Sequence, residues 1–210
     1  MFLELLVATR NRGKIAEIST LLANLPIRVR TLDEFPDVPP VSENGSTYQE
    51  NATLKAQSYA RLTGLWAIAD DSGLEVDVLA GAPGVLSARY AGYAASDQER
   101  VSLLLDEMGH AGSRNRSARF CCVVAIAEPS GKVIRIESGA CEGSIRTSPR
   151  GSEGFGYDPI FVPEGFTATF AELGTHTKNA ISHRGKALGA ARDFLNQMIA
   201  QQMIAQLDHC

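Results

Sequence analysis

The chain has 210 residues, of which 44% are hydrophobic and 21% are charged, and its net charge at neutral pH is −4. These values predict a folded globular protein and exclude disorder as its main state. Because a strongly basic footprint is absent, we expect no nucleic-acid polymer as a partner. No apolar run approaches the roughly 20 residues of a membrane span, so we expect no membrane partner either.

Two further features bear on the compartment. Residues 1–6 carry neither a basic leader nor a small-residue cleavage site, and we interpret them as a first strand rather than a signal peptide. The four cysteines, Cys121, Cys122, Cys141 and Cys210, form no Cys-x-x-Cys pair. We therefore expect neither a zinc site nor a disulfide framework, and a cytoplasmic, reduced protein.

Strands and helices are predicted in mixed order along the chain. The first half is predicted as a strand over 3–8, a helix over 13–25, a strand over 27–32, a loop over 37–45, a helix over 48–62 and strands over 66–69 and 75–79. The second half is predicted as a helix from a capping box at 96–99 to 108, a hairpin over 116–128 and 132–142, a loop and strand over 150–163 and a helix from about 184 to 207. This order predicts an α/β fold with a mixed central sheet and flanking helices.

No flexible linker divides the chain, so we predict a single domain over residues 1–210. The segment Gln197–Gln201 recurs as Gln202–Gln206, and its period of five does not match the helical period. We interpret residues from about 197 to 210 as an extended terminal helix, with an oligomer contact as the alternative.

The segment Ala69–Glu75 is the most informative part of the sequence, because Asp70 and Asp71 follow the apolar run 65–69. Two adjacent carboxylates at the end of a buried strand are costly to keep ionised. Mg²⁺ is commonly held by one or two carboxylates together with substrate phosphates. We therefore predict a site for metal-assisted phosphate chemistry at the end of this strand.

Three other segments carry candidate binding residues. Residues 8–14 enter the first helix, and a helix N-terminus can bind an anion. Residues 154–161 place Phe155 between glycines, which suits stacking on a flat ligand. Residues 178–187 collect hydrogen-bond donors where the helix dipole disfavours positive charge, which favours an anionic or acceptor-rich ligand. Taken singly, each also fits a structural role: a capped helix start, a glycine-rich turn with core aromatics and a solvated basic helix start.

Together these segments resemble the inosine/xanthosine triphosphate pyrophosphatases, a family that acts on noncanonical purine nucleoside triphosphates. The matching segments, in chain order, are Ala8-Thr9…Asn11…Lys14…Glu17, Glu50-Asn51-Ala52…Leu54-Lys55-Ala56, Ala69–Val76, Gly81-Ala82-Pro83-Gly84…Ser87-Ala88-Arg89-Tyr90, Gly154–Pro159 and Ser182-His183-Arg184-Gly185. The resemblance implies two lobes around a nucleotide-binding cleft, a homodimer, and Mg²⁺-dependent hydrolysis of ITP, dITP and XTP to the monophosphate and pyrophosphate. Two departures are the charges of Arg10 and Arg12 and the long C-terminal helix.

The resemblance also implies roles for individual residues. Asp71 is expected to accept the proton of the attacking water, and Glu43 and Asp71 are expected near the metal. Residues expected to bind the substrate are Thr9, Arg10, Asn11, Arg12, Gly13, Lys14, Lys55, Ser72, Phe155, Gly156, Tyr157, Asp158, Lys178, His183 and Arg184. Adjacent residues of a strand face opposite ways, so Asp70 has a structural role as its alternative, and the sequence leaves the division between Asp70 and Asp71 open.

Selectivity follows a simple rule in this interpretation. Hypoxanthine and xanthine present a 6-oxo acceptor to a donor such as Arg184, whereas adenine presents an amino group, and such mispairing can discriminate by about 10⁴-fold. Two alternative functions are a related house-cleaning pyrophosphatase for pyrimidine or modified-base triphosphates and a nucleotide-binding sensor without turnover. The carboxylates Glu43, Asp70 and Asp71 together with Lys14 and Lys55 argue against the sensor, because nucleotide binding alone does not require a base that activates water.

Overall fold

The computed structural model describes residues 3–207, with side chains described to residue 201. Its strands are β1 (Leu3–Val7), β2 (Ile27–Thr31), β3 (Trp66–Val76), β4 (Ser117–Ala127), β5 (Val133–Ile145) and β6 (Phe161–Pro163). Its α-helices are α1 (Arg12–Leu22), α2 (Tyr48–Thr63), α3 (Asp97–His110), α4 (Phe170–Ile181) and α5 (His183–Leu207). The strands form one sheet in the order β2-β1-β3-β4-β5-β6, in which β1 is parallel to β2 and β3 whereas β5 and β6 are antiparallel. The predicted mixed α/β fold is confirmed.

The described chain divides into two compact units. Unit 1 comprises residues 3–71, 123–137 and 187–207, and unit 2 comprises residues 72–122 and 138–186. The single domain over 1–210 and the cleft between two lobes stay predictions.

Unit 1 is built around the parallel strands and α2. Leu5 of β1 lies opposite Val29 on one side and Trp66 on the other. Thr47 caps α2 by accepting a hydrogen bond from the backbone of Glu50, as N-cap threonines do. The buried cluster of this unit is rich in alanine, whose small side chain allows close packing of a helix on a sheet; its members are Leu6, Ala8, Leu32, Ala52, Ala56, Tyr59, Ala60, Ala67, Ala69, Ala125 and Ala127.

Unit 2 has an aromatic core instead. The ring centroids of Phe120 and Phe161 lie 4.7 Å apart in an edge-to-face arrangement, and Phe170 stacks on Phe120 at 6.0 Å. Such ring pairs contribute about 0.5–1.5 kcal/mol beyond their buried area. Helix α3 starts with the predicted capping box, in which Ser96 and Glu99 satisfy each other's backbone N–H groups.

The structure corrects two predictions. The strand expected at 66–69 continues without a break to Val76 as β3, so Asp70 and Asp71 lie in its interior and not at a strand end. The sequence did not predict this continuity, because residues 70–73 are not apolar. Asp70 and Asp71 are accommodated inside the strand by Lys14 and Asn51, which come from other elements. The second strand, expected at 75–79, is wrong beyond Val76, because Asp77–Leu79 form a 3-10 helix. Helix α4 was missed because Gly174, at φ 74°, interrupts its helical pattern, although Thr169 and Glu172 form a capping box at its start.

Boundary shifts elsewhere are small. Helix α1 ends at Leu22 rather than residue 25, and α5 confirms the extended terminal helix up to Leu207. The rest of the predicted tail, including Cys210, lies outside the described residues. Cys121, Cys122 and Cys141 form no disulfide. Within residues 3–207, no helix combines the length and the apolar character needed to cross a membrane.

Candidate active site

Asp70 is a buried carboxylate of β3 that is paired with α1. The Oδ2 atom of Asp70 lies 2.9 Å from Nζ of Lys14, and the Asp70 side chain is 0% exposed. Lys14 lies in the first turn of α1, so its position is fixed by the turn that follows β1. A charge at this depth is stable only when it is paired in this way.

Asp71 meets a different set of partners. Its Oδ1 atom lies 3.9 Å from Nζ of Lys55, and the same ammonium donates to Oε2 of Glu43 at 2.8 Å. Oδ2 of Asp71 accepts a hydrogen bond from Nδ2 of Asn51 at 3.0 Å. Unit 1 therefore brings together three carboxylates and two lysines, as the sequence predicts.

The electrostatics of this cluster follow from its burial. Burial raises the pKa of the Asp71 carboxyl group, while Lys55, Lys14 and the hydrogen bond from Asn51 oppose the rise without cancelling it. Burial alone would lower the pKa of Lys55, but the nearby carboxylates outweigh it and raise that pKa. Lys55 therefore stays charged, and Asp71 is a carboxylate whose basicity is increased.

The predicted anion-binding turn lies between β1 and α1. Asn11 is the N-cap residue, with its side chain accepting from the Lys14 backbone at 3.1 Å, and its own N–H donates to Oγ1 of Thr9 at 3.2 Å. Arg12 and Gly13 form the first turn of α1. The turn is thus preorganised as the start of a helix, where backbone N–H groups and the dipole favour an anion.

Arg10 has a separate role within this turn. Its guanidinium donates to the carbonyl of Val38 at 3.2 Å and so ties the turn to the loop that precedes α2. Arg10 is exposed, and this hydrogen bond directs it towards that loop.

Unit 2 places a lysine against an aromatic ring. Oδ2 of Asp158 accepts from the backbone of Phe155 at 2.9 Å and from Nζ of Lys178 at 2.5 Å. The Lys178 ammonium lies 4.6 Å from the Phe155 ring centroid, within the range of cation–π attraction. Phe155, Asp158 and Lys178 therefore form one cluster, although Phe155 and Lys178 are far apart in sequence.

Arg184 and His183 belong to the same unit. Nη2 of Arg184 donates to Oγ of Ser72 at 2.8 Å, and its guanidinium carbon lies 5.5 Å from the Phe155 ring centroid. The His183 ring stacks on Phe120 at 4.6 Å with an interplanar angle of 9°. These predicted donors thus have well-defined positions.

The junction of α4 and α5 places Lys178, His183 and Arg184. Ser182 lies between the helices, its N–H donates to the carbonyl of Lys178 at 2.8 Å, and its hydroxyl accepts from the backbone of Gly185 at 3.0 Å. A Cβ atom on Gly185 would lie 2.9 Å from the backbone carbon of Asn179 and still nearer its oxygen. Only glycine allows the two helices to approach this closely.

The loop that carries Phe155 is anchored at two further points. The backbone of Gly156, at φ +63°, donates to Oδ2 of Asp97 at 2.6 Å. The hydroxyl of Tyr157 donates to the carbonyl of Ser87 at 3.0 Å. The sequence did not identify Asp97 or Asn51 as site residues, and the capping box at the start of α3 made Asp97 look like an ordinary first-turn acid.

Oxygen ligands suitable for a hard cation are present in unit 1. Among the described residues, no three His, Cys, Asp or Glu side chains form a group that could hold a metal ion by themselves. The carboxylates of Glu43 and Asp71 nevertheless both lie within 4 Å of the ammonium group of Lys55. A positive charge is therefore stable beside them. This donor set suits Mg²⁺, which binds through one or two carboxylates and completes its shell with water and phosphate oxygens.

Comparisons with known proteins agree on one family. The sequence profile of the Ham1 family matches residues 5–194. The dITP/XTP pyrophosphatase of Geobacter sulfurreducens is 50% identical over 191 residues, which are 91% of this chain and 96% of that protein. The dITP/XTP pyrophosphatase of Streptomyces coelicolor is 48% identical over 197 residues, which are 93% of this chain and 98% of that protein.

Solved structures agree with the sequence comparison. A HAM1 protein from Coxiella burnetii superimposes with a TM-score of 0.86 at 45% identity, covering 93% of this chain and 100% of that chain. The Ham1 protein of Staphylococcus aureus superimposes with a TM-score of 0.81 at 37% identity, covering 93% of this chain and 99% of that chain. On sequence and on fold, this chain belongs to the Ham1 family.

Proposed function

We propose that this protein hydrolyses the noncanonical purine nucleoside triphosphates ITP, dITP and XTP to the nucleoside monophosphate and pyrophosphate. The name dITP/XTP pyrophosphatase of relatives about half identical over nearly the whole chain supports it. The observation that carries it is the cluster in unit 1, where Lys14 and Lys55 are held against Asp70, Asp71 and Glu43.

The triphosphate is held by unit 1. The N-terminus of α1 offers backbone N–H groups, and the ammonium groups of Lys14 and Lys55 neutralise phosphate charge. Phosphoryl transfer depends on positioning and charge stabilisation more than on covalent chemistry, so lysines fixed by ion pairs suit the task.

Asp71 accepts the proton of the water that attacks the α-phosphorus. The Asn51 hydrogen bond holds this carboxylate in place, and general-base catalysis contributes about 10²–10⁴-fold to a rate. Asp70, paired with Lys14 at 2.9 Å, holds that lysine in place.

We propose Mg²⁺ as the cofactor. Glu43 and Asp71 would hold it, and when bound it supplies Lewis-acid polarisation and a template for the phosphate oxygens.

The purine and sugar are recognised by unit 2. Phe155 provides the flat surface, and Lys178, His183 and Arg184 provide donors for a 6-oxo base. Because Ser72 and Phe155 already orient Arg184, it has little freedom to turn away from an adenine amino group. A donor left facing that amino group is the basis of discrimination against ATP.

Two finer properties complete the proposal. We also propose a cytoplasmic location, a reducing compartment in which cysteines such as Cys121, Cys122 and Cys141 stay free thiols. The resemblance to this family supports a homodimer, which light scattering on the purified protein would test.

The first test is pyrophosphate release from ITP, XTP, dITP, GTP and ATP with Mg²⁺, using the wild type and Asp71→Asn. We expect rapid release from the first three substrates and a loss of about 10³-fold in the variant. Omission of Mg²⁺ should abolish release.

Other results would change the conclusion. Release from pyrimidine or other modified triphosphates instead would indicate a related house-cleaning enzyme with a different base pocket. Tight ITP binding without release would indicate a sensor.

A further inference from the structure

Asn51 is a fully buried side chain of α2 that connects two parts of unit 1. It is 0% exposed. Its Nδ2 donates to Oδ2 of Asp71 at 3.0 Å, and its Oδ1 accepts from the backbone N–H of Gly45 at 2.8 Å. A buried amide satisfied at both ends is costly to disturb.

The orientation of this amide follows from its partners. A backbone N–H can only donate, so Oδ1 must face Gly45 and the amino group must face Asp71. Oδ2 of Asp71 is therefore the oxygen engaged by Asn51. Oδ1 of Asp71 is the oxygen on the Lys55 side, 3.9 Å from that ammonium.

The Gly45 end of the connection is tightly packed. A Cβ atom on Gly45 would lie 2.7 Å from Oδ1 of Asn51 and 2.7 Å from Cβ of Glu50. Glu43 precedes Gly45 by two residues and is held by Lys55. Asn51 and Lys55 are one helical turn apart on α2, so this turn holds both Asp71 and the Glu43 loop.

The Asn51 side chain is not needed to start the helix. Thr47 caps α2, and the Asn51 side chain makes its hydrogen bonds outside the helix. Loss of these two hydrogen bonds should therefore disturb Asp71 and the Glu43 loop and leave the start of α2 intact.

We propose that Asn51 is a positioning residue that fixes the carboxylate of Asp71, so that Oδ1 faces the reacting water, and holds the Glu43 loop beside it. This inference rests on the proposed function. Asn51 acts through Asp71 and does not itself take part in the reaction.

The kinetic test is Asn51→Asp. The new side chain keeps an oxygen for Gly45 but presents an oxygen instead of a donor to Asp71. We expect kcat for ITP to fall about 10²-fold, the effect of a small misplacement of a reacting group, while KM changes by less than about threefold. The matched control is Asn24→Asp, the same charge change at an exposed turn residue, which should keep the wild-type kcat.

The structural test exchanges donor and acceptor. Asn51→Asp should lower the Tm by about 5 °C, because two carboxylates then face each other. In the double variant Asn51→Asp/Asp71→Asn an amide again faces a carboxylate, so at least half of that loss should be recovered while kcat stays low. Additive losses of Tm in the double variant would overturn the proposal.

The outcomes separate the two proposals. No ITP turnover by the wild type would overturn both. Turnover by the wild type with an unchanged kcat in Asn51→Asp would overturn the positioning role alone. If Asn51→Asp does not fold, Gly45→Ala tests the other end of the connection, since its Cβ atom must displace Asn51, and a wild-type kcat in that variant would equally contradict the proposal.

Discussion

A buried lysine–aspartate pair occurs in each unit, but its surroundings differ. In unit 1, Lys14 and Asp70 lie 2.9 Å apart, with side chains 14% and 0% exposed. In unit 2, Lys178 and Asp158 lie 2.5 Å apart, with side chains 5% and 3% exposed. The first pair adjoins more charges, whereas the second adjoins aromatic rings, with Lys178 4.6 Å from the Phe155 centroid and 5.8 Å from that of Phe170.

The contrast indicates a division of labour. Nearby carboxylates in unit 1 keep Lys55 protonated. In the proposed function this charged surrounding suits the phosphates, where charge develops in the reaction. A cation held against rings in unit 2 suits a flat, acceptor-rich base. Substitutions in unit 1 should therefore act mainly on kcat, and those in unit 2 mainly on KM.

The largest effects should come from the same substitution made in both units. Lys14→Met and Lys178→Met should each lower the free energy of unfolding by about 3 kcal/mol, because each leaves a buried carboxylate without its ammonium partner. Lys14→Met should also lower kcat for ITP about 10²-fold. Lys178→Met should keep kcat within about threefold and raise KM at least about 10-fold. Urea unfolding and steady-state kinetics measure both quantities, and equal kcat losses in the two variants would refute the division.

An intermediate effect is expected at the junction of α4 and α5. Gly185→Ala should cost about 1–3 kcal/mol of stability and raise KM, because the added methyl group pushes the residues before and after Ser182 apart. Gly189→Ala is the matched control, since a Cβ atom there meets nothing within 4 Å and alanine favours the helix by up to about 1 kcal/mol. Thermal unfolding of both variants tests this, and equal Tm values would show that the junction has room to adjust.

The smallest effect is expected at Asp97. Asp97→Ala removes the acceptor for the Gly156 backbone, so KM for ITP should rise about threefold to 10-fold with kcat unchanged. Asp97→Asn keeps an acceptor oxygen and should restore most of the affinity. Failure of Asn to improve on Ala would mean that the ion pair with Arg100, and not the backbone contact, sets the loop position.

Local patterns explain how much the sequence could predict. The apolar run before Asp70 and the capping box at Ser96 correctly predicted a strand and a helix start. The same patterns missed the continuity of β3, because the run of polar residues at 70–73 gives no sign that Asp70 and Asp71 each have a partner from another element. Local sequence propensity cannot show that a buried charge is paired with a residue distant in the chain.

Site residues divide in a similar way. Lys14 and Lys178 stood out because charged groups where a helix is expected to start are conspicuous, although Lys178 in fact lies in the last turn of α4. Lys55 was expected only through the family resemblance. Asn51 and Asp97 did not, because their partners are 20 and 59 residues away in the chain and their own neighbourhoods look like ordinary helix starts. Only the fold shows that one supports a carboxylate and the other a loop.

The hydrogen bond at Gly45 also has a consequence for how long the protein lasts. Asparagine followed by glycine, as in Asn44-Gly45, is prone to deamidate, because the glycine nitrogen can attack the side-chain amide and close a succinimide ring. In this structure the N–H of that nitrogen donates to Asn51 at 2.8 Å, and this hydrogen bond must break before the nitrogen can attack. We therefore expect the contact that orders the Glu43 loop to slow deamidation at Asn44 as well.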